Sequence, residues 1–224
     1  MMMNLFSIFD PASSEYFSLN WLSSIYVMMF IPVSYWFVPS RWSLILIFLI
    51  EFLIKEFKVL LNKKLNLFNI MIFISLFMVI FLNNFMGLFP YIFTPTSHLV
   101  SSLTLALLVW FSIFLFSWLK NTNHSFIHLV PQGTPGILMP FMVLVESLSN
   151  VIRAGTLSVR LTANMIAGHL LMTLISSTGE SLSFILLVFM LVVQSLLITL
   201  ELSVSVIQAY VFSVLSTLYS AESN

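Results

Sequence analysis

The stretch from Pro140 to Ser177, PFMVLVESLSNVIRAGTLSVRLTANMIAGHLLMTLISS, decides the fold. After Pro140 it holds no further proline, and only Gly155 and Gly168 interrupt its helix-forming residues. One continuous helix of that length rises about 57 Å, nearly twice the ~30 Å hydrocarbon core of a bilayer. Kept within that core it leans about 60° from the membrane normal, beyond the usual range of roughly 0–40°, so it needs a packing partner. Ser181 to Tyr219 poses the same problem, and Ser176 to Glu180 carries the turn residues between the two. The predicted unit is a hairpin over 136–219, made of two long, strongly tilted, antiparallel helices.

Composition places that hairpin in a membrane. Of 224 residues, 8 are Lys or Arg and 8 are Asp or Glu, so 7% are charged against about 25% in a soluble domain. Hydrophobic residues make up 60%, which excludes a water-facing globule. With zero net charge and no long basic run, no nucleic-acid partner is expected. There is no Cys and no GxGxxG or GxxxxGK pattern, which excludes thiolate metal sites and argues against a nucleotide site. His98, His124 and His128 lack metal-ligand spacing; no metal, cofactor or catalytic residue is expected. Met1 to Leu19 has no Lys or Arg and two acids, Asp10 and Glu15, which fits neither a secretory signal nor a transit peptide; insertion without a removable address is expected.

Outward from the hairpin, apolar segments of about 20 residues mark the other spans. Leu19 to Val38 is read as one vertical transmembrane helix, stopped by Pro39 and Arg41. Over 41–62, Glu51, Lys55, Lys58 and Asn62 recur at helical spacing among Leu, Ile and Phe, the pattern of an amphipathic helix on the membrane surface. Arg41, Lys55, Lys58, Lys63 and Lys64 put that connection on the inner side, so the N-terminus is expected outside. A helix pair over 67–119 follows, broken by Pro90 and Pro95, with Lys120 back inside. The whole is expected to be one all-α integral membrane domain embedded in lipid.

The polar residues of the first long helix are ordered. At 100° per residue, Glu146, Asn150, Arg153, Arg160, Asn164 and Gly168 share a stripe about 80° wide, while His169 falls on another side. Gln194, Glu201, Ser205 and Gln208 fall within about 60° on the second. Arg160 lies too deep to snorkel easily, and a mid-membrane charge is normally kept for function. Guanidinium holds its proton, so Arg160 is a fixed electrostatic post rather than a carrier. Glu201, equally deep, can pass between charged and neutral forms and is a candidate proton waystation; His169 can hand protons to it. Plainer roles compete: an Arg160–Glu201 pair gluing the helices, a packed His169, Glu146 complementing a helix dipole, Arg153 reaching headgroups, and Asn164 and Gln208 as interhelical glue.

Arg160-Leu-Thr-Ala-Asn164-Met-Ile-Ala-Gly168-His169-Leu resembles the signature of subunit a, the stator proton-channel subunit of rotary F-type ATP synthases. Pro131-Gln-Gly-Thr-Pro135, Glu146, Glu201 and Gln208 extend the resemblance, and the helix order carries it over the whole chain. Bacterial members typically carry an acid where His169 stands and a His where Glu201 stands; the arrangement here is similar to animal mitochondrial members. The resemblance implies a mitochondrial inner-membrane protein whose hairpin faces a rotor ring of small, carboxylate-bearing hairpin subunits, beside a peripheral stalk and other membrane subunits. It implies His169 and Glu201 in the half-channel open to the intermembrane space, Arg160 at the ring with Gln208 near it, and Glu146 toward the matrix. An ion-coupled secondary transporter or a structural subunit of a respiratory complex is the alternative. One tension stands: a hairpin turned at Gly179 sets Arg160 level with Ile198 rather than Gln208, so a long connection or a sliding offset of several residues is expected.

Overall fold

The computed structural model describes residues 5–12, 17–32, 37–61, 67–89, 91–120, 122–130, 135–179 and 183–222. Lys63, Lys64, Glu180 and most of the Pro131–Pro135 motif lie outside the described residues. Secondary structure among the described residues is entirely helical. After short 3₁₀ and α turns that include α1 (Ser23–Tyr26), the elements are α2 (Arg41–Leu60), α3 (Leu67–Gly87), α4 (Leu99–Lys120), α5 (Thr122–Leu129), α6 (Met139–Thr178) and α7 (Phe184–Glu222). Among the described residues, four helical spans are long and apolar enough to cross a membrane: Asn69–Gly87, Leu99–Lys120, Met139–Thr178 and Phe184–Ala221. The chain is an all-α integral membrane protein.

The first expected span differs in extent. Helical turns run from Leu19 to Phe30, and Ile31 is extended at ψ 115°. Pro32 explains the stop, because its ring crowds the preceding residue out of the helical region. Residues 33–36, inside the expected 19–38 helix, lie outside the described set. The amphipathic α2 begins at Arg41, with the Ser40 hydroxyl accepting from the Ser43 backbone N–H as its N-cap; Asn62 lies outside the described residues. It turns Leu53 and Phe57 into the core and leaves Lys55 and Lys58 outside. The 67–119 pair is present as α3 and α4, yet α3 packs chiefly along α7, and α4 along α6.

That packing has a readable cause. Toward α3, α7 presents Ala209, Ser213, Ser216 and Thr217, all buried, at the small-residue spacing that lets membrane helices approach closely. Each hydroxyl donates to a carbonyl of its own helix, Ser213 to Tyr210 at 2.9 Å and Ser216 to Ser213 at 2.7 Å, so none is left unpaired in an apolar seam. Against this seam Phe73, Phe77 and Ile80 of α3 form the core with Leu157 and Leu161 of α6.

The 40-residue α6 is about 60 Å long, and α7 with 39 residues is close to it, so both exceed the bilayer core as predicted. They run antiparallel in a slid register. A Cβ at Gly179 would touch Met190 Sδ at 3.0 Å, one at Gly168 would meet Glu201, and Asn164 bonds Gln208. Folded evenly about residues 179–183, Gly168 would face Gln194; Glu201 lies about two helical turns further along. α7 starts at Phe184 rather than Ser181, and the offset removes the register tension.

Candidate functional site

Glu201 is the most confined acid among the described residues. It is 8% exposed, and neither carboxylate oxygen has a hydrogen-bond partner among the described residues. Gly168 makes room for it: a Cβ there would stand 2.6 Å from Oε1 and 2.8 Å from Cδ. The motif glycine is therefore a steric requirement of the neighbouring helix. Overpacking of this kind costs about 1–3 kcal/mol, so Gly168→Ala is expected to displace the Glu201 carboxylate and lower the thermal midpoint of the protein. An unchanged thermal midpoint would contradict this steric role for Gly168.

His169 points elsewhere, as its helical angle requires. It is half-buried, reaches the Gly87 backbone, and its Nε2 is enclosed without a hydrogen-bond partner among the described residues. Gly87 again marks a close approach, since a Cβ there would lie 2.7 Å from Thr94 Cγ2 and 3.3 Å from Met165 Cε. The Phe9 ring meets the imidazole edge-on at 6.3 Å. Beside His169 opens a cavity of about 1080 Å³, walled by Ile8, Tyr26, Phe89, Thr173 and Gln194 among others. The N-terminal turns, the described part of the α3–α4 loop, the last turns of α6 and the first half of α7 thus meet around one cavity. The Lys-bearing α2 instead reaches the later part of α7, where the Tyr210 hydroxyl donates to Glu56 Oε2 at 2.9 Å.

Arg160 is exposed on the outside of the chain and makes neither a hydrogen bond nor an ion pair with the described residues. The glue reading, an Arg160–Glu201 pair, is absent: Glu201 faces Gly168, two turns further along α6. One turn from Arg160, Asn164 Nδ2 donates to Gln208 Oε1 at 3.1 Å, with Gln208 buried. Asn164 and Gln208 thus join the two long helices, next to Arg160 along α6. Ala163 and Ala167, also exposed, keep the neighbouring surface shallow.

Glu146 lies apart from the other residues, near the start of α6. Arg153 Nη2 stands 3.6 Å from Glu146 Oε1, and its guanidinium lies 5.9 Å from the centre of the Tyr219 ring. Sequence reading gave these two residues separate roles; their spacing of two turns was the available signal. It also passed over Asn83 and Asn84, one turn before Gly87. Both are buried, and neither amide atom of Asn84 has a hydrogen-bond partner among the described residues. Two adjacent asparagines in an apolar α3 were the sign of polar business at that depth. Among the described residues no group of three or more His, Cys, Asp or Glu is placed to hold a metal.

Residues 17–221 match the family model described as ATP synthase A chain. The chain is 57% identical over 224 residues to "ATP synthase subunit a" of Drosophila melanogaster, with all of both chains covered. It is 55% identical over 226 residues to that of Aedes aegypti, again with all of both chains covered, and 54% identical to that of Locusta migratoria over 99% of each. With a family match spanning nearly the whole chain and relatives matched end to end, the chain belongs to the ATP synthase A chain family, the membrane-embedded subunit a of F-type ATP synthases.

Proposed function

We propose that this chain carries protons across the mitochondrial inner membrane through two offset half-channels that meet a rotating ring of carboxylate-bearing subunits. The reading is carried by one observation: Arg160 faces outward while His169 and Glu201 are enclosed on other sides of the hairpin. Two aqueous paths that must not join need this separation.

In this account the cavity beside His169 opens to the intermembrane space, with the N-terminus on that side. A proton passes through His169 and Glu201 to a ring carboxylate, which then enters lipid without the cost of a buried charge. After nearly a full turn the carboxylate meets Arg160, whose fixed charge favours its ionised form, and the proton leaves toward Glu146 and the matrix. Asn164 and Gln208 hold the two helices in register beside Arg160. The same positive charge opposes direct hopping between the paths. Each charge crossing the potential supplies about 2.3 kcal/mol per 100 mV, and the lateral offset converts it to torque.

The ring contact is testable through a chain that lacks cysteine. Ala163→Cys, one turn from Arg160 on the exposed face, is expected to cross-link to a cysteine placed near the ring carboxylate in the assembled complex. Cross-linking to a peripheral-stalk subunit instead would assign the face to the wrong partner.

A further inference from the structure

We propose that the N-terminal turn Leu5–Phe9 is a strap across the outer cavity, and that Phe9 is the plug on it that limits the access of water to His169. The proposal rests on reading that cavity as the outer half-channel. Phe6 and Ile8 of the turn are 67% and 53% exposed, whereas Phe9 is half-buried with its ring edge on the imidazole. Ile8 walls the same cavity that holds His169, Thr173 and Gln194. The turn therefore borders the cavity through Ile8 and the histidine through Phe9.

Among the described residues its hydrogen bonds are few. The Asp10 backbone N–H donates to the Ser7 carbonyl at 3.2 Å, the Ala12 N–H donates to Asp10 Oδ1 at 3.1 Å, and Asn20 Nδ2 donates to the Asp10 carbonyl at 3.2 Å. Of these three bonds, the last ties the turn to the next helical segment. A single five-residue 3₁₀ turn has poor hydrogen-bond geometry and little buried area, so it opens locally far more easily than the helices behind it. With Phe9 seated, His169 Nε2 is enclosed and has no partner among the described residues. A proton reaches that nitrogen from a hydronium only when water does, and the apolar ring packs against the imidazole that carries it. Opening of the strap thus sets the rate at which water reaches the relay, while closure keeps bulk solvent from flooding the path.

The test uses the absence of native cysteine. Thr173→Cys places a thiol in the cavity wall of the purified, assembled complex, and its labelling rate by a small hydrophilic methanethiosulfonate reports water access. An aromatic edge contact is worth about 0.5–1.5 kcal/mol, so Phe9→Ala is expected to speed labelling about twofold to tenfold. Phe9→Tyr should restore the slow rate, and Asn20→Ala, which frees the Asp10 carbonyl, should speed labelling without touching Phe9. Unchanged labelling in both Phe9→Ala and Asn20→Ala would overturn the strap. So would an equal acceleration at Asn123→Cys on α5, which reports general loosening. Labelling does not depend on proton flow: fast labelling in Phe9→Ala, together with intact proton flow in Glu201→Gln, would retain the strap and remove the half-channel reading beneath it.

Discussion

Arg160→Ala is expected to lower proton-driven ATP synthesis by about a hundredfold or more, with the complex still assembled. The magnitude follows from electrostatics: a neighbouring cation shifts the balance of a carboxylate by about one to three pH units, a factor of ten to a thousand in its ionised fraction. Arg160 contributes little to the fold, since it packs outward and bonds to no described residue. Arg160→Lys keeps the charge but loses the planar fork and the permanence of the proton, so partial recovery at best is expected. Synthesis measured against the amount of assembled complex decides the matter. Near-normal synthesis in Arg160→Ala would end the role of a fixed positive post.

The second large effect concerns the relay. His169→Leu and Glu201→Leu are each expected to reduce proton flux about a hundredfold, the scale of losing one positioned proton-transfer group. Exchanging the two residues, with Glu at 169 and His at 201, is expected to preserve more flux than either single replacement, because a relay needs both chemistries and tolerates their order. The tight fit at Gly168 limits the recovery: an imidazole at 201 enters a site that already excludes one methyl group. Flux in the double exchange, compared with the two single changes, reads the coupling directly. Purely additive losses would mean that the two residues serve separate paths.

The long helices were legible because length alone states their problem: no proline follows Pro140 before Ser177, and no bilayer accommodates such a helix upright. The face of α6 was legible too, since a period of 3.6 separates His169 from Arg160 whatever the surroundings. Register was not. Helical angle fixes which side a residue takes but not its level against the neighbouring helix, and the Gly168–Glu201 and Asn164–Gln208 contacts set that level. The first span was read to Val38 along its apolar run, whereas the described helical turns stop at Phe30; the restriction on Ile31 is a backbone effect that hydropathy cannot register. Glu146 and Arg153 were read singly, although their spacing permits the pair they form. Phe9 carried no sequence signal, since it reaches His169 across 160 positions of chain and only the folded molecule brings them together.

The central claim is that Arg160 stands as a cation between two aqueous paths and against a rotor. The most direct measurement is a density map of the intact membrane sector at a resolution that shows ordered water. The account predicts a ring helix packed on the Arg160 face, a ring carboxylate opposite the guanidinium, and water chains from either side that stop short of it. A guanidinium surrounded by bulk solvent, or an unbroken file of water running past it from one side to the other, would contradict it.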